Sequence, residues 1–104
     1  MTSSVNTQTD EYQMGLLVAG VAAAAGEGSA DAAQLDALKR QVLPSLEAIR
    51  NLNRAGNTVL LGAEITKARE AFTAIMGTHW QPNPGGQVAQ ALKAKGVDPT
   101  AITG

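Results

Sequence analysis

The residues best suited to chemistry in this chain of 104 residues lie in one irregular segment, GTHWQPNPGG, at positions 77–86. It holds the single histidine, His79, directly before the single tryptophan, Trp80. An imidazole can titrate near neutral pH, and an indole ring buries a large area and often anchors an interface. The pair therefore suits either a partner contact or a lid, in which Trp80 folds back over the helix ends and His79 faces solvent.

The chain offers little for catalysis or metal binding. Cysteine is absent, which excludes disulfides, thiolate nucleophiles and soft metal ligands but indicates no cellular compartment. Glu64 and Glu70 lack the Glu-x-x-His spacing of di-iron bundles, and the serines form no recognisable nucleophile–base pair with the lone His79. Gly85 and Gly86 precede a helix without the pattern of a phosphate-binding loop. We therefore predict a protein that is not an enzyme, with no catalytic residues, no cofactor and no metal.

The C-terminal sequence VAQALKAKGVDPTAI, residues 88–102, has the cadence of the first helix and turn of a helix-turn-helix unit. The helix that would read DNA begins at Pro99 and offers no Arg, Lys, Asn or Gln to base edges. The formal net charge is −1, so no general attraction to nucleic acid or to an anionic membrane is expected. Nucleic-acid binding is therefore not predicted.

Composition favours a single all-α domain over residues 1–104. The apolar residues are mainly Ala, Leu, Val and Ile, and aromatic residues make up only 3% of the chain. These small and aliphatic side chains suit close helix packing better than a sheet sandwich, and a chain of this length can bury one core but not two. We expect a small helical bundle of three main helices plus a short C-terminal helix, with a flexible polar N-terminal arm.

Capping residues, glycines and apolar periodicity predict the limits of the elements. Pro44 lies inside a continuous apolar phase, so we expect one kinked helix there rather than two unrelated helices. Gly56 and Asn57 should end that helix and cap the next one in a short turn. The predicted order is a polar arm at 1–9, an apolar helix at 10–26, the Pro-kinked helix at 29–55, a helix at 57–76, a loop at 77–86, a short helix at 87–95 and a tail at 98–104.

Residues 12–26, YQMGLLVAGVAAAAG, carry no charged side chain. A run of about fifteen apolar residues is shorter than the roughly twenty that span a bilayer, so no membrane span is expected. No Lys or Arg precedes Lys39, although a secretory signal begins with positive charge. Wound as a helix, the stretch predicts a core stripe at the usual spacing of three and four residues. That stripe consists of Met14, Leu17, Val18, Val21 and Ala25.

The other side of this helix is also small and apolar. Gly15, Ala19 and Ala23 recur at four-residue spacing, as do Gly20 and Ala24, and such ridges let another backbone approach closely. Two flanking helices can cover only part of this helix, so we expect the remainder to contact another subunit or another protein. The predicted interface consists of Tyr12, Gly15, Leu16, Ala19, Gly20, Ala23, His79 and Trp80.

These features favour a non-catalytic function. The chain is expected to be a structural or assembly subunit that packs through its apolar small-residue helix into a homo-oligomer or a larger particle, for example as a virion component. Its partners would be copies of itself or other protein subunits. Two alternatives stay open: a small regulatory adaptor or nucleic-acid-associated protein, and an accessory subunit of a multi-chain enzyme. A defined oligomer in solution would favour the assembly subunit, and a strict monomer the adaptor.

Overall fold

The computed structural model describes residues 10–103, and every regular element in this part of the chain is helical. The prediction of a small all-α bundle is confirmed. The predicted arm at 1–9 lies outside the described residues. The elements are α1 Asp10–Gly26, α2 Ala32–Gln41, α3 Leu43–Ala55, α4 Thr58–Met76, α5 Gln87–Ala94 and a 3₁₀ turn Pro99–Ile102.

The segment predicted as one kinked helix at 29–55 consists of two helices. α2 starts later than predicted, because Asp31 is its N-cap and accepts an amide hydrogen of the first turn at 2.8 Å. Pro44 has no amide hydrogen to donate to the preceding turn, and the helix is interrupted at Val42, between α2 and α3. Val42 is fully buried and keeps right-handed dihedral angles (φ −101°, ψ −43°), so the apolar phase continues across the break.

A glycine turn joins α3 to α4. Gly56 adopts the left-handed conformation (φ +74°, ψ +17°), which costs glycine little because it has no Cβ. The side-chain oxygen of Asn57 then accepts the amide hydrogen of Leu60 at 3.1 Å and caps α4. Because the turn is so short, α3 folds back along α4, and these two helices form the most extensive helix pair in the described part.

Helix α4 lies at the centre of the core and packs against α1, α2 and α3. Its buried side chains recur every three or four residues, as expected for a helix with one face in the core. Phe72, in the middle of this stripe, is only 1% exposed. The buried residues of α4 are Leu61, Ile65, Ala68, Phe72 and Met76.

Helix α1 is rotated about its axis relative to the predicted orientation. Val18, predicted in the core, is 54% exposed, whereas Gly20 and Ala23, predicted at an interface, are buried by the chain itself. A Cβ on Gly20 would lie 2.8 Å from Cγ2 of Ile102 and 2.9 Å from Cζ of Phe72. Gly20 therefore faces the chain's own core, where it makes room for large side chains of α4 and of the 3₁₀ turn.

Replacing Gly20 with alanine should destabilise the fold, since a methyl group there would overlap Ile102 and Phe72. Overpacking of this kind costs about 1–3 kcal/mol of the free energy of unfolding. Gly15→Ala is the matched control, because no heavy atom lies within 4 Å of a Cβ at that position. At an exposed position inside a helix, alanine is more stabilising than glycine by roughly 0.5–1 kcal/mol of the free energy of unfolding. Urea unfolding should therefore shift in opposite directions for the two variants, and an unchanged Gly20→Ala would contradict the packing described.

Candidate functional site

An apolar groove of about 600 Å³ runs between α1 and α5 on the surface of the bundle. Apart from Glu11, Lys95 and the hydroxyl of Tyr12, the side chains that line it are apolar, and one position is glycine. A cleft of this kind suits an apolar partner better than a small polar substrate. The lining residues are Glu11, Tyr12, Met14, Gly15, Leu16, Val18, Ala19 and Ala22 on α1, with Val88, Ala91, Leu92, Lys95 and Val97 opposite.

Glu27 positions α5 beside the end of α1. It lies one residue past α1, and its Oε1 accepts the amide hydrogen of Val88, in the first turn of α5, at 3.2 Å. The unpaired amides and the dipole of a helix both favour a carboxylate at its N-terminus. A Cβ on Gly86 would lie 2.7 Å from the carboxylate oxygens, so glycine at the N-cap leaves the space that Glu27 occupies.

Helix α5 runs back along α1. Its first turn is bonded to Glu27, and the residues at its other end, Lys95 and Val97, share the groove with Glu11 and Tyr12 at the start of α1. One acidic residue, Glu11, and one basic residue, Lys95, therefore line the groove on opposite walls.

The uncovered face of α1 has a regular spacing. Successive exposed positions alternate four and three residues apart, which is the spacing of a coiled-coil seam. Val18 is the large apolar side chain in this stripe, and its neighbours in the stripe are small. The exposed positions before the last residue of the helix, Gly26, are Glu11, Gly15, Val18, Ala22 and Ala25. Helix α1 thus presents a second packing face opposite the one that it buries.

Trp80 belongs to the core rather than to this surface. Its ring meets the ring of Phe72 edge-on, with centroids 5.3 Å apart, and its Nε1 donates to the carbonyl oxygen of Ser29 at 2.7 Å. The hydroxyl of Thr103 donates to the carbonyl oxygen of Trp80 at 2.9 Å. His79 beside it is exposed. Of the two interpretations of this pair, these contacts fit the lid, with Trp80 partly buried against the core and His79 exposed, and the interface role of the two residues stays a prediction.

Arg69 links α4 to α1 and to the 3₁₀ turn. Its Nη2 donates to the carbonyl oxygens of Ala101 (2.9 Å) and Ile102 (2.8 Å), and its Nη1 donates to the side-chain oxygen of Gln13. Burial lowers the pKa of the guanidinium below its usual range, and Tyr12 acts weakly in the opposite direction. Arginine stays protonated at neutral pH all the same, so the charged donor holds the end of the chain on the bundle.

The 3₁₀ turn packs against the bundle and is not the second helix of a helix-turn-helix unit. Asp98 caps it by accepting the amide (3.0 Å) and the hydroxyl (2.9 Å) of Thr100, and these bonds lower the pKa of the Asp98 carboxyl. Pro99 and Ile102 are buried against the bundle. The turn has only four residues and packs its apolar side inward, so it is too short to serve as a recognition helix.

The predicted interface residues divide into two groups. Half of them line the apolar groove: Tyr12, Gly15, Leu16 and Ala19. Leu16, however, is only 4% exposed and belongs to the core. Of the others, Gly20 and Ala23 are buried in the chain's own core, and neither Trp80 nor His79 lines the groove. The prediction for Leu16, Gly20 and Ala23 is corrected, because the chain itself covers these residues, and Gly20 lies against Phe72 and Ile102.

The wall formed by α5 is not among the predicted interface residues. Val88, Ala91, Leu92 and Lys95 follow the helical spacing of one face, which is a signal that the sequence contains. The helix against which this face lies is set by the bond from Glu27 to the start of α5, and no local pattern indicates such a long-range contact.

Within residues 10–103, no three potential His, Asp or Glu ligands are grouped so that they could hold a metal ion. None of the helices in that range combines the length and hydropathy that crossing a bilayer requires. Comparison with known protein families, curated proteins and solved structures finds no match for this chain.

Trp80→Ala should destabilise the whole fold by about 3 kcal/mol, because it removes an indole from Phe72 and leaves the carbonyl of Ser29 without its donor. His79→Ala, at the exposed neighbouring position, should stay within about 0.5 kcal/mol of the wild type. Thermal unfolding followed by circular dichroism compares the two. A Trp80→Ala variant that melts like the wild type would mean that this side chain does not serve as a lid.

Arg69→Met should loosen the end of the chain, since it keeps an unbranched stem but removes the bonds donated to Gln13, Ala101 and Ile102. Hydrogen bonds from a charged donor contribute about 1.5–3 kcal/mol, so we expect a loss of that order together with faster amide hydrogen exchange in the 3₁₀ turn. Arg40→Met is the control, because the ion pair of Arg40 with Asp36 is exposed and contributes roughly 0–1 kcal/mol. If amide hydrogen exchange in the 3₁₀ turn is unchanged in Arg69→Met, Arg69 does not hold this turn on the bundle.

Proposed function

We propose that this chain is a non-catalytic assembly subunit that binds protein through the apolar groove between α1 and α5. The observation that carries the proposal is this groove of about 600 Å³, bordered by Val18, which is 54% exposed. Helix α1 already buries its opposite face in the core. A helix that is apolar all round is normally covered all round, so its uncovered face is a candidate for contact with another subunit.

The composition of the groove supports binding rather than chemical conversion. Its two charged residues, Glu11 and Lys95, lie on opposite walls, and no serine, histidine or threonine lines it. A serine or threonine nucleophile with a histidine base beside it is therefore missing from the lining. His79, the one imidazole of the chain, does not contribute to the groove.

The energetics indicate that both walls have to take part. Burying a valine contributes about 1.5–3 kcal/mol, whereas association costs roughly 4–15 kcal/mol in lost translational and rotational freedom. Val18 alone cannot offset that cost. A stable interface usually buries about 800 Å² on each partner, and this requires α5 as well as α1. The small residues at Gly15 and Ala22 help, since they let a partner approach the helix backbone closely.

Val18→Glu should abolish or strongly weaken the assembly, because it places a carboxylate in an apolar contact. Val59→Glu is the matched control: Val59 is 80% exposed, lies in the first turn of α4 and does not line the groove. Light scattering over roughly micromolar to millimolar concentrations would give the mass of each form. We expect an oligomer for the wild type and for Val59→Glu, with a shift towards monomer for Val18→Glu. A wild type that is monomeric throughout would defeat the proposal, as would equal effects of the two variants.

A further inference from the structure

We propose that a second cavity, which lies where α1, α4 and the end of the 3₁₀ turn meet, binds a small zwitterion such as a free amino acid. Among the described residues, this cavity shares no lining position with the apolar groove, so the inference does not depend on the proposed assembly function. Three features carry it: the polar lining of the cavity, a cation in that lining without a carboxylate partner, and two carboxylates in the same lining.

The cavity has a volume of about 900 Å³ and follows one face of α4. Its lining positions on this helix recur at three- and four-residue spacing from Gly62 to Ala74, which places them on one side of the helix. Small-molecule pockets have volumes of about 300–1,000 Å³, so a cavity of this size can hold a small ligand. Most of the lining side chains are polar. They include the hydroxyls of Thr66, Thr73, Thr78 and Thr103, which can donate or accept hydrogen bonds.

Arg69 supplies the positive charge of the lining. The hydrogen bonds that fix its guanidinium go to uncharged oxygens, namely the side-chain oxygen of Gln13 and the carbonyl oxygens of Ala101 and Ile102. Among residues 10–103 no carboxylate forms an ion pair with Arg69, and its Nε is buried without a hydrogen-bond partner. A guanidinium that is held in place and partly desolvated, but not neutralised, favours an anionic group, and its planar donors match a carboxylate.

Two carboxylates in the same lining act against a simple anion. Asp10 lies against α4 where Gly62 has no side chain, with its Oδ1 3.4 Å from the position that a Cβ would occupy, and Glu70 is exposed on α4. Within the described part of the chain neither carboxylate forms an ion pair. They would repel a ligand that carries only negative charge, whereas a ligand that carries only positive charge would leave Arg69 without a counter-ion. A zwitterion offers each of these charges an opposite one.

Three compounds with the same four-carbon chain test this charge requirement: 4-aminobutyrate, butyrate and butylamine. Glycine and 6-aminohexanoate extend the zwitterion series to a shorter and a longer charge separation. At neutral pH and low salt, we expect the best zwitterion to bind at least about tenfold more tightly than butyrate or butylamine, because both of its ends form charge-assisted hydrogen bonds. Amide chemical shifts measured by NMR titration give the affinities and should change at Gly62, Thr66 and Arg69.

The double variant Asp10→Asn with Glu70→Gln removes both carboxylates but keeps the shape of the lining. It should lose the preference for the zwitterion, so that 4-aminobutyrate and butyrate bind within a few fold of each other. Glu47→Gln is the control, because Glu47 pairs with Arg50 on an exposed face of α3 and does not line the cavity. Circular dichroism checks that each variant is folded.

The proposal is wrong if none of the three zwitterions binds the wild type at concentrations up to about 10 mM. It is also wrong if butyrate or butylamine binds as tightly as the best zwitterion, or if the shift changes lie at the apolar groove instead of the cavity. A double variant that keeps the preference for the zwitterion would show that Asp10 and Glu70 do not bind the ammonium group. None of these results bears on assembly through the groove, which the comparison of Val18→Glu with Val59→Glu tests separately.

Discussion

The close approach of α1 to α4 and to the 3₁₀ turn at Gly20 determines which surface the molecule presents. Because Gly20 has no side chain, Ile102 and Phe72 reach the backbone of α1. Arg69 can then extend from α4 both to Gln13 on α1 and to the carbonyl groups of the turn. These contacts fix the rotation of α1 about its own axis. Once Gly20 faces inward, the helical repeat turns Val18 outward, and the groove follows from that rotation.

The fold class and several element limits could be predicted from the sequence because they depend on local chemistry. Asn57 caps α4, Gly56 turns the chain and Pro44 marks an interruption in the helical hydrogen bonding, and each of these effects acts within one or two turns. The helical character of residues 10–103 agrees with the small and aliphatic composition of the chain.

Only the α1 wall of the candidate site was predicted. The α5 wall depends on contacts between residues that are far apart in sequence. A helix made of Ala, Gly, Leu and Val on every side has no polar face to reveal its orientation, so the inward face of α1 was assigned wrongly. The direction of Trp80 depends on Phe72 and Ser29, and the place of α5 depends on Glu27. None of these contacts leaves a periodic signal in the sequence.

The carboxylate of Glu27 at the start of α5 also has a consequence for the dynamics of the surface. A helix of eight residues is shorter than the roughly 12–15 residues that helices need to be even marginally stable on their own in water, so α5 depends on tertiary contacts for its helicity. One wall of the groove is therefore a small cooperative unit that can unfold locally while the core around Phe72 stays intact. A partner that binds only the folded groove would stabilise this unit by mass action, and recognition would then be coupled to the folding of α5.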